Sequence, residues 1–275
     1  MGLFSNMYTK EGKGVEKNAP KKNSFFTFFE YYGRHFSKLL TGNMLFTIIS
    51  FPIVTIGLAQ AGLTYICRSA ARDQHCFPSD DFFDIIKKNW KQALASGIID
   101  LVVFAILGFD IFYAWATMAD NMSFMNQAYF GLSVVITLLY WFSTFYRPFM
   151  IITFKMKLSK IYKNSFIFAM SSLGTNLVIA LSHAILLILG FFLVYMLGYI
   201  GGVIVLLVYF LMYPAFSTFL IQYSIFPIIR KIMIDPYYEQ HPDDDILLRR
   251  RLGLLPPEED DFDYNSLSEE ESTNE

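Results

Sequence analysis

The sequence predicts an all-α, polytopic helical membrane protein with five or six membrane segments joined by amphipathic interfacial elbow helices. Three observations lead there. Of the 275 residues, 54% are hydrophobic and 18% aromatic, far from the composition of an ordinary soluble domain. Four runs carry no Asp, Glu, Lys or Arg: Leu39 to Cys67, Ala128 to Tyr146, Ser165 to Tyr199 and Gly201 to Pro227. Each is long enough for a hydrocarbon core that needs ~20 apolar residues per helix. Finally, Lys and Arg gather in the polar stretches between these runs, as they do in cytoplasmic loops.

The elements follow in order. Residues 1–38 form a basic cytoplasmic arm with Lys10, Lys13, Lys17, Lys21, Lys22, Arg34 and Lys38, and no cleavable signal peptide is visible. The start Met1-Gly2-Leu3-Phe4-Ser5-Asn6 fails the myristoylation pattern at Asn6. The first apolar run has basic residues on both flanks, so it enters and leaves on one side. Pro52 and Gly57 mark its middle, which predicts a hairpin of short helices over 39–51 and 56–71. The alternative is one tilted helix with the N-terminus outside.

Further segments are expected over 93–119, 128–154, 175–197 and 199–226, completing a membrane domain over 39–234. The connections Ala119 to Gln127 and Gly198 to Gly202 lack Lys and Arg and lie outside. Tyr113, Trp115, Tyr129, Tyr195 and Tyr199 cluster near those outer ends as an aromatic belt. Pro214 is expected to kink the last segment. Residues 235–275 form a cytoplasmic tail, acidic and disordered in expectation from 256. It holds nine of the 24 acids in its last twenty residues, so 22 bases face 15 acids over the rest of the chain.

Two stretches read as elbows. Residues 79–92 open with Ser79, Asp80 and Asp81 and close with Lys87, Lys88 and Lys91, while Phe82, Ile85, Ile86 and Trp90 share a face. Residues 160–172 repeat the Lys-Asn-aromatic pattern at Lys163-Asn164-Ser165-Phe166. Both are expected to lie in the membrane interface and feed the next spanning helix. The shared order of elbow, outward helix and inward helix suggests a weak internal repeat.

Ionisable groups at membrane depth are costly, and five polar residues are candidates: Asp100, Asp110, Arg147, Asn176 and His183. Asp100 and Arg147 each sit about seven residues from the inner end of their helices, roughly 10 Å deep at ~1.5 Å per residue, and can pair. His183 lies at similar depth with Asn176 on the same face. Asp110 is nearer the midplane with no partner in view. These residues serve either as interhelical glue, the favoured reading, or as a polar path.

No catalytic signature is present: no phosphate loop, no HExxH, no nucleophile elbow and no clustered His and carboxylate set. The expectation is a protein that is not an enzyme, with no cofactor, metal or nucleic-acid partner. Cys67, Cys76 and His75 match no zinc spacing, and a disulfide is not expected between thiols on the cytoplasmic side. Asn121-Met122-Ser123 fits a glycosylation acceptor in a loop too short to use it.

Three stretches carry a family resemblance. They are Gly12-Lys13-Gly14-Val15 with Lys21-Lys22 and Phe25-Phe26-Thr27-Phe28-Phe29-Glu30; Asn43 through Pro52-Ile53-Val54-Thr55-Ile56-Gly57; and Asp81-Phe82-Phe83 with Lys88-Asn89-Trp90-Lys91-Gln92. Over roughly residues 1–120 the chain resembles the YesL-like family of bacterial membrane proteins, whose biochemical function is unknown. Its motif maps onto Asn43, Pro52, Thr55, Gly57, Phe83, Asn89 and Trp90. Relatives often have Asp-Gly where this chain has Asp73-Gln74, which puts a tight turn there in doubt. The resemblance implies a bacterial plasma membrane and an accessory role beside a carbohydrate ABC importer, while the basic loops predict cytoplasmic termini and offer the surface for that contact. The competing expectation is a small solute transporter or channel in its own right.

Overall fold

The computed structural model describes residues 24–241, and all regular structure among them is helical. The helices are α1 (Ser24–Arg34), α2 (Phe36–Ser50), α3 (Ile56–Ala71), α4 (Pro78–Asp120), α5 (Phe124–Thr144), α6 (Arg147–Thr153), α7 (Leu158–Ser171), α8 (Leu173–Leu211), α9 (Tyr213–Ile229) and α10 (Asp235–Gln240). A 3-10 turn, Ile53–Thr55, joins α2 to α3, and a π-helical turn, Arg230–Ile234, joins α9 to α10. Among the described residues, three helical stretches are long and apolar enough to cross a membrane: Pro78–Asp120, Phe124–Thr153 and Leu173–Leu211. Residues 1–23 and the tail from 242, with its acidic part, lie outside the described residues.

The core is built around α3. Its sequence, Gly57-Leu58-Ala59-Gln60-Ala61-Gly62, is small-residue-rich, and the helix is buried on nearly every side from Ala59 to Ala71. Small side chains let neighbouring backbones approach closely. At Gly57 an added Cβ would stand 2.2 Å from the Ala93 carbonyl and 2.8 Å from the Gly97 Cα, so α3 and α4 cross there backbone to backbone. Gly62 packs as closely on the ring of Phe82. Around α3 stand α2, α4, α6 and α9.

Proline punctuates the bundle at three places. At Pro52 the chain reverses, and α2 and α3 pack side by side through Gly42, Leu63 and Ile66. Thr55 closes the reversal with its Oγ1 on the carbonyls of Ile49 and Pro52, the latter at 2.6 Å. The stretch 39–67 is therefore a helical hairpin and not one tilted helix.

Several expected elements differ. The elbow 79–92 is no separate helix: α4 runs unbroken for 43 residues, roughly 64 Å at ~1.5 Å per residue, because neither Gly nor Pro interrupts Lys91-Gln92-Ala93. The segment 128–154 breaks after Thr144, where Pro148 starts α6. The segment 199–226 breaks at Met212 with Pro214 in the first turn of α9, a full interruption where a kink was expected.

The reversal after 197 takes place at Gly198, whose φ of 56° suits only glycine. The arms of α8 then fold back on each other, with Gly201 against Leu193 and Gly190 facing Val205. The turn after α3 is tight despite lacking glycine. Asp73 itself adopts φ 53°, and the amides of Asp73 and Gln74 return to the carbonyls of Ala70 and Ser69 in a Schellman closure. The N-terminal arm also contains structure that the charge pattern hid. α1 lays Phe28 and Tyr32 against Phe216 and Phe219 of α9.

The α3–α4 crossing yields a test. Gly57→Leu forces a side chain into the Ala93 carbonyl and is expected to destabilise by about 1–3 kcal/mol, read as a lower melting temperature of the detergent-purified protein. Gly108→Ala, at a helical glycine with open space around it, is expected to leave the melting temperature unchanged or raise it.

Candidate functional site

The site grows from the Pro148 break. Arg147, 1% exposed, directs its guanidinium across the bundle to Asp100 of α4, with Nη1 on Asp100 Oδ1. The same carboxylate oxygen accepts the hydroxyls of Tyr140 (2.7 Å) and Tyr162 (2.9 Å), while Arg147 Nη2 donates to Ser143 Oγ at 2.9 Å. The guanidinium lies 4.6 Å from the Tyr140 ring centroid and 4.5 Å from that of Tyr162. Arg147 is buried and Asp100 half-buried, so removing either partner leaves the other's charge without its match. Four helices, α4, α5, α6 and α7, are tied together by these contacts.

The other polar candidates are likewise partnered. His183 of α8 bonds the Ile179 carbonyl through Nδ1 (2.7 Å) and Ser217 Oγ of α9 through Nε2 (2.7 Å). A carbonyl only accepts, so Nδ1 is the donor to Ile179. Asn176 accepts from the Tyr146 hydroxyl (2.8 Å) and donates to the Ala169 carbonyl (3.0 Å), pinning the start of α8 to the Pro148 break. Asp110 has the partner that depth alone did not suggest. The hydroxyl of Tyr129, placed in the aromatic belt by sequence, donates to it at 2.7 Å.

The motif residues divide. Asn43, fully buried, donates to the Phe210 carbonyl (2.8 Å) and accepts from the Ala215 amide (2.9 Å), bridging the break between α8 and α9. Thr55 and Gly57 hold the hairpin and the crossing described above. Phe83 and Trp90 stand exposed on α4, and Asn89 bonds its own helix at the Ile85 carbonyl (3.0 Å).

A cavity of about 420 Å³ lies between these groups. Gly57, Gln60, Ser96, Asp100, His183 and Ser217 line it, with Ile53, Leu101 and Phe104 at exposed positions of its wall. The structure thus brings Asp100, Arg147 and the His183–Ser217 pair to one region and leaves Asp110 apart. Tyr140, Tyr162, Gln60 and Ser217 belong to the site without having been singled out. Tyr140 lies two turns from Arg147 in the same helical stretch, and that spacing was the available signal for the first of them.

A second concavity, about 870 Å³, opens between Ile85–Gln92 of α4 and the 151–157 stretch, and five lysines line it. At the far end of α3, Arg72 lies over the Phe226 ring at 4.4 Å. Its basicity is pulled down to about 9, first by burial and then by the neighbouring charges of Arg68 and Arg230.

With this geometry described, comparison with known proteins gives one match. Residues 39–111 match a family described as "Protein of unknown function, DUF624". That stretch, about a quarter of the chain, is similar to the DUF624 family. This is the YesL-like family that the sequence resembles. The DUF624 stretch spans α2, α3 and most of α4, so it holds the hairpin, the Gly57–Gly97 crossing and Asp100, while Arg147, Asn176 and His183 fall beyond it. No curated protein and no solved structure matches the chain.

A double-mutant cycle tests the charge pair. Asp100→Asn leaves the buried Arg147 charge unmatched and is expected to cost about 3 kcal/mol, and Arg147→Gln, which leaves the half-buried Asp100 with its two tyrosines, to cost less. The double substitution is expected to cost clearly less than the sum. Strict additivity in thermal or denaturant unfolding would sink the pair as a unit.

Proposed function

We propose that this protein is a non-enzymatic scaffold of the bacterial plasma membrane, an accessory or assembly partner of a carbohydrate uptake system. The observation carrying this reading is that the polar groups inside the bundle bond one another and the broken helix ends. Asp100, Arg147, Asn176 and Asn43 are all engaged in tying helices together. Groups so occupied serve rigidity better than they serve a proton or solute relay. The carbohydrate system is what the family resemblance implies.

In this reading six segments cross or enter the membrane. The reversals at Pro52 and Gly198 support that count, and the basic loops support cytoplasmic termini. The partner-facing surface is α7, whose outer side presents Lys160, Lys163, Phe166 and Ile167.

Affinity purification from native membranes in mild detergent tests the proposal. Permease or ATPase subunits of an importer are expected to co-purify, and Lys160→Glu with Lys163→Glu to reduce their recovery at unchanged membrane abundance. Recovery of no transporter subunit overturns it. The cavity favours a second reading, a small-solute transporter, which predicts flux in reconstituted vesicles that His183→Phe abolishes. Absence of any flux disposes of that alternative.

A further inference from the structure

The 870 Å³ groove has a chemistry that the scaffold does not use. Its walls are the last turns of the polar half of α4 and the extended link between α6 and α7. Gln92 fixes the gap by donating to the Met156 carbonyl at 2.7 Å. Lys87, Lys88 and Lys91 line one wall, Lys155 and Lys157 the other, and no acid is among the lining residues. All five side chains are exposed, and no carboxylate among the described residues pairs with them. Five like charges converging on one hollow repel one another unless an anion sits between them.

Two further observations say what kind of anion. Behind the groove Arg68, only 8% exposed, donates to Thr153 Oγ1 at 2.6 Å, and Thr153 is itself a lining residue. This buried cation has no carboxylate partner among the described residues and adds a fixed positive field at the groove's inner end. Trp90, half-exposed at the rim, sits three residues before Ala93, where the apolar part of α4 begins. Tryptophan and lysine together at the start of an apolar helix mark the level of lipid headgroups.

We propose that this groove seats the phosphate headgroup of an anionic phospholipid, with the lysines on the phosphate and Trp90 beside the glycerol. A free phosphate has the same charge but no acyl chain to hold it beside the apolar face of α4. A protein partner would lack the headgroup depth that Trp90 defines. The proposal rests on the membrane placement above and not on the identity of any partner protein, so the pull-down outcome does not bear on it.

The test uses the full chain in phosphatidylcholine nanodiscs with rising phosphatidylglycerol, read as melting temperature and as lipid retained in native mass spectra. Phosphatidylglycerol is expected to raise the melting temperature and stay bound, and Lys155→Gln with Lys157→Gln to weaken its apparent affinity at least about tenfold. Lys38→Gln with Lys231→Gln, outside the groove, is expected to behave as the parent. Equal effects of the two lipids overturn the proposal, as does equal loss in both variant pairs. Inorganic phosphate protecting as strongly as phosphatidylglycerol overturns the assignment to a lipid.

Discussion

A buried carbonyl or amide must find a partner, and this bundle interrupts its helices beside buried residues at Pro148 and Pro214. Proline at position i removes the donor for the carbonyl four residues earlier. For Pro214 that carbonyl belongs to Phe210, and Asn43 Nδ2 and Thr47 Oγ1 of α2 both reach it. The other end of the Asn43 amide then takes the Ala215 amide at the start of α9. One side chain closes both sides of the break. At the Pro148 break the clamp differs: Arg147 bonds not the Thr144 carbonyl but those of Ser143 and Tyr140, each at 3.5 Å, and turns its charge toward Asp100. At Pro52 the carbonyl four residues earlier, Ile48, takes the Phe51 amide, and Thr55 Oγ1 instead closes the turn on the carbonyls of Ile49 and Pro52.

These clamps reach across the molecule because α3 brings the helices close. With glycine and alanine along its sides, α3 brings α2, α4, α6 and α9 near enough for short polar side chains to bridge them. The Gly57–Gly97 contact also sets the floor of the 420 Å³ cavity. The stretch shared with the DUF624 family is thus the mechanical centre of the fold, whereas the partners Arg147, Tyr162 and His183 come from the part that the family match does not cover.

Much of this was legible in the sequence, and the omissions have physical causes. Helix positions followed from charge-free runs, and the Asp100–Arg147 pair from equal distances to the inner helix ends, since depth is a one-dimensional quantity that spacing conveys. The bonds of Tyr140 and Tyr162 to that carboxylate depend on which way each helix is rotated, which spacing conveys poorly. Tyr129 was read as belt because its depth fitted, and its hydroxyl's contact with Asp110 went unseen. Gly97 gave no local signal, because its role exists only in the company of Gly57. α1 was hidden by the basic charge around it, although Phe28, Tyr32 and Phe36 already stood at helical spacing. The break at 145–146 was announced by Pro148 and outweighed by the apolar run around it.

The clamp account is tested most directly by combining Asn43→Ala with Pro214→Ala. Restoring an amide at 214 supplies the Phe210 carbonyl with a donor from its own helix, so Asn43 becomes less necessary. The account predicts that Asn43→Ala alone lowers stability by about 1–3 kcal/mol, and by distinctly less in the Pro214→Ala background. An equal loss in both backgrounds, measured by thermal unfolding of the purified protein, would contradict it.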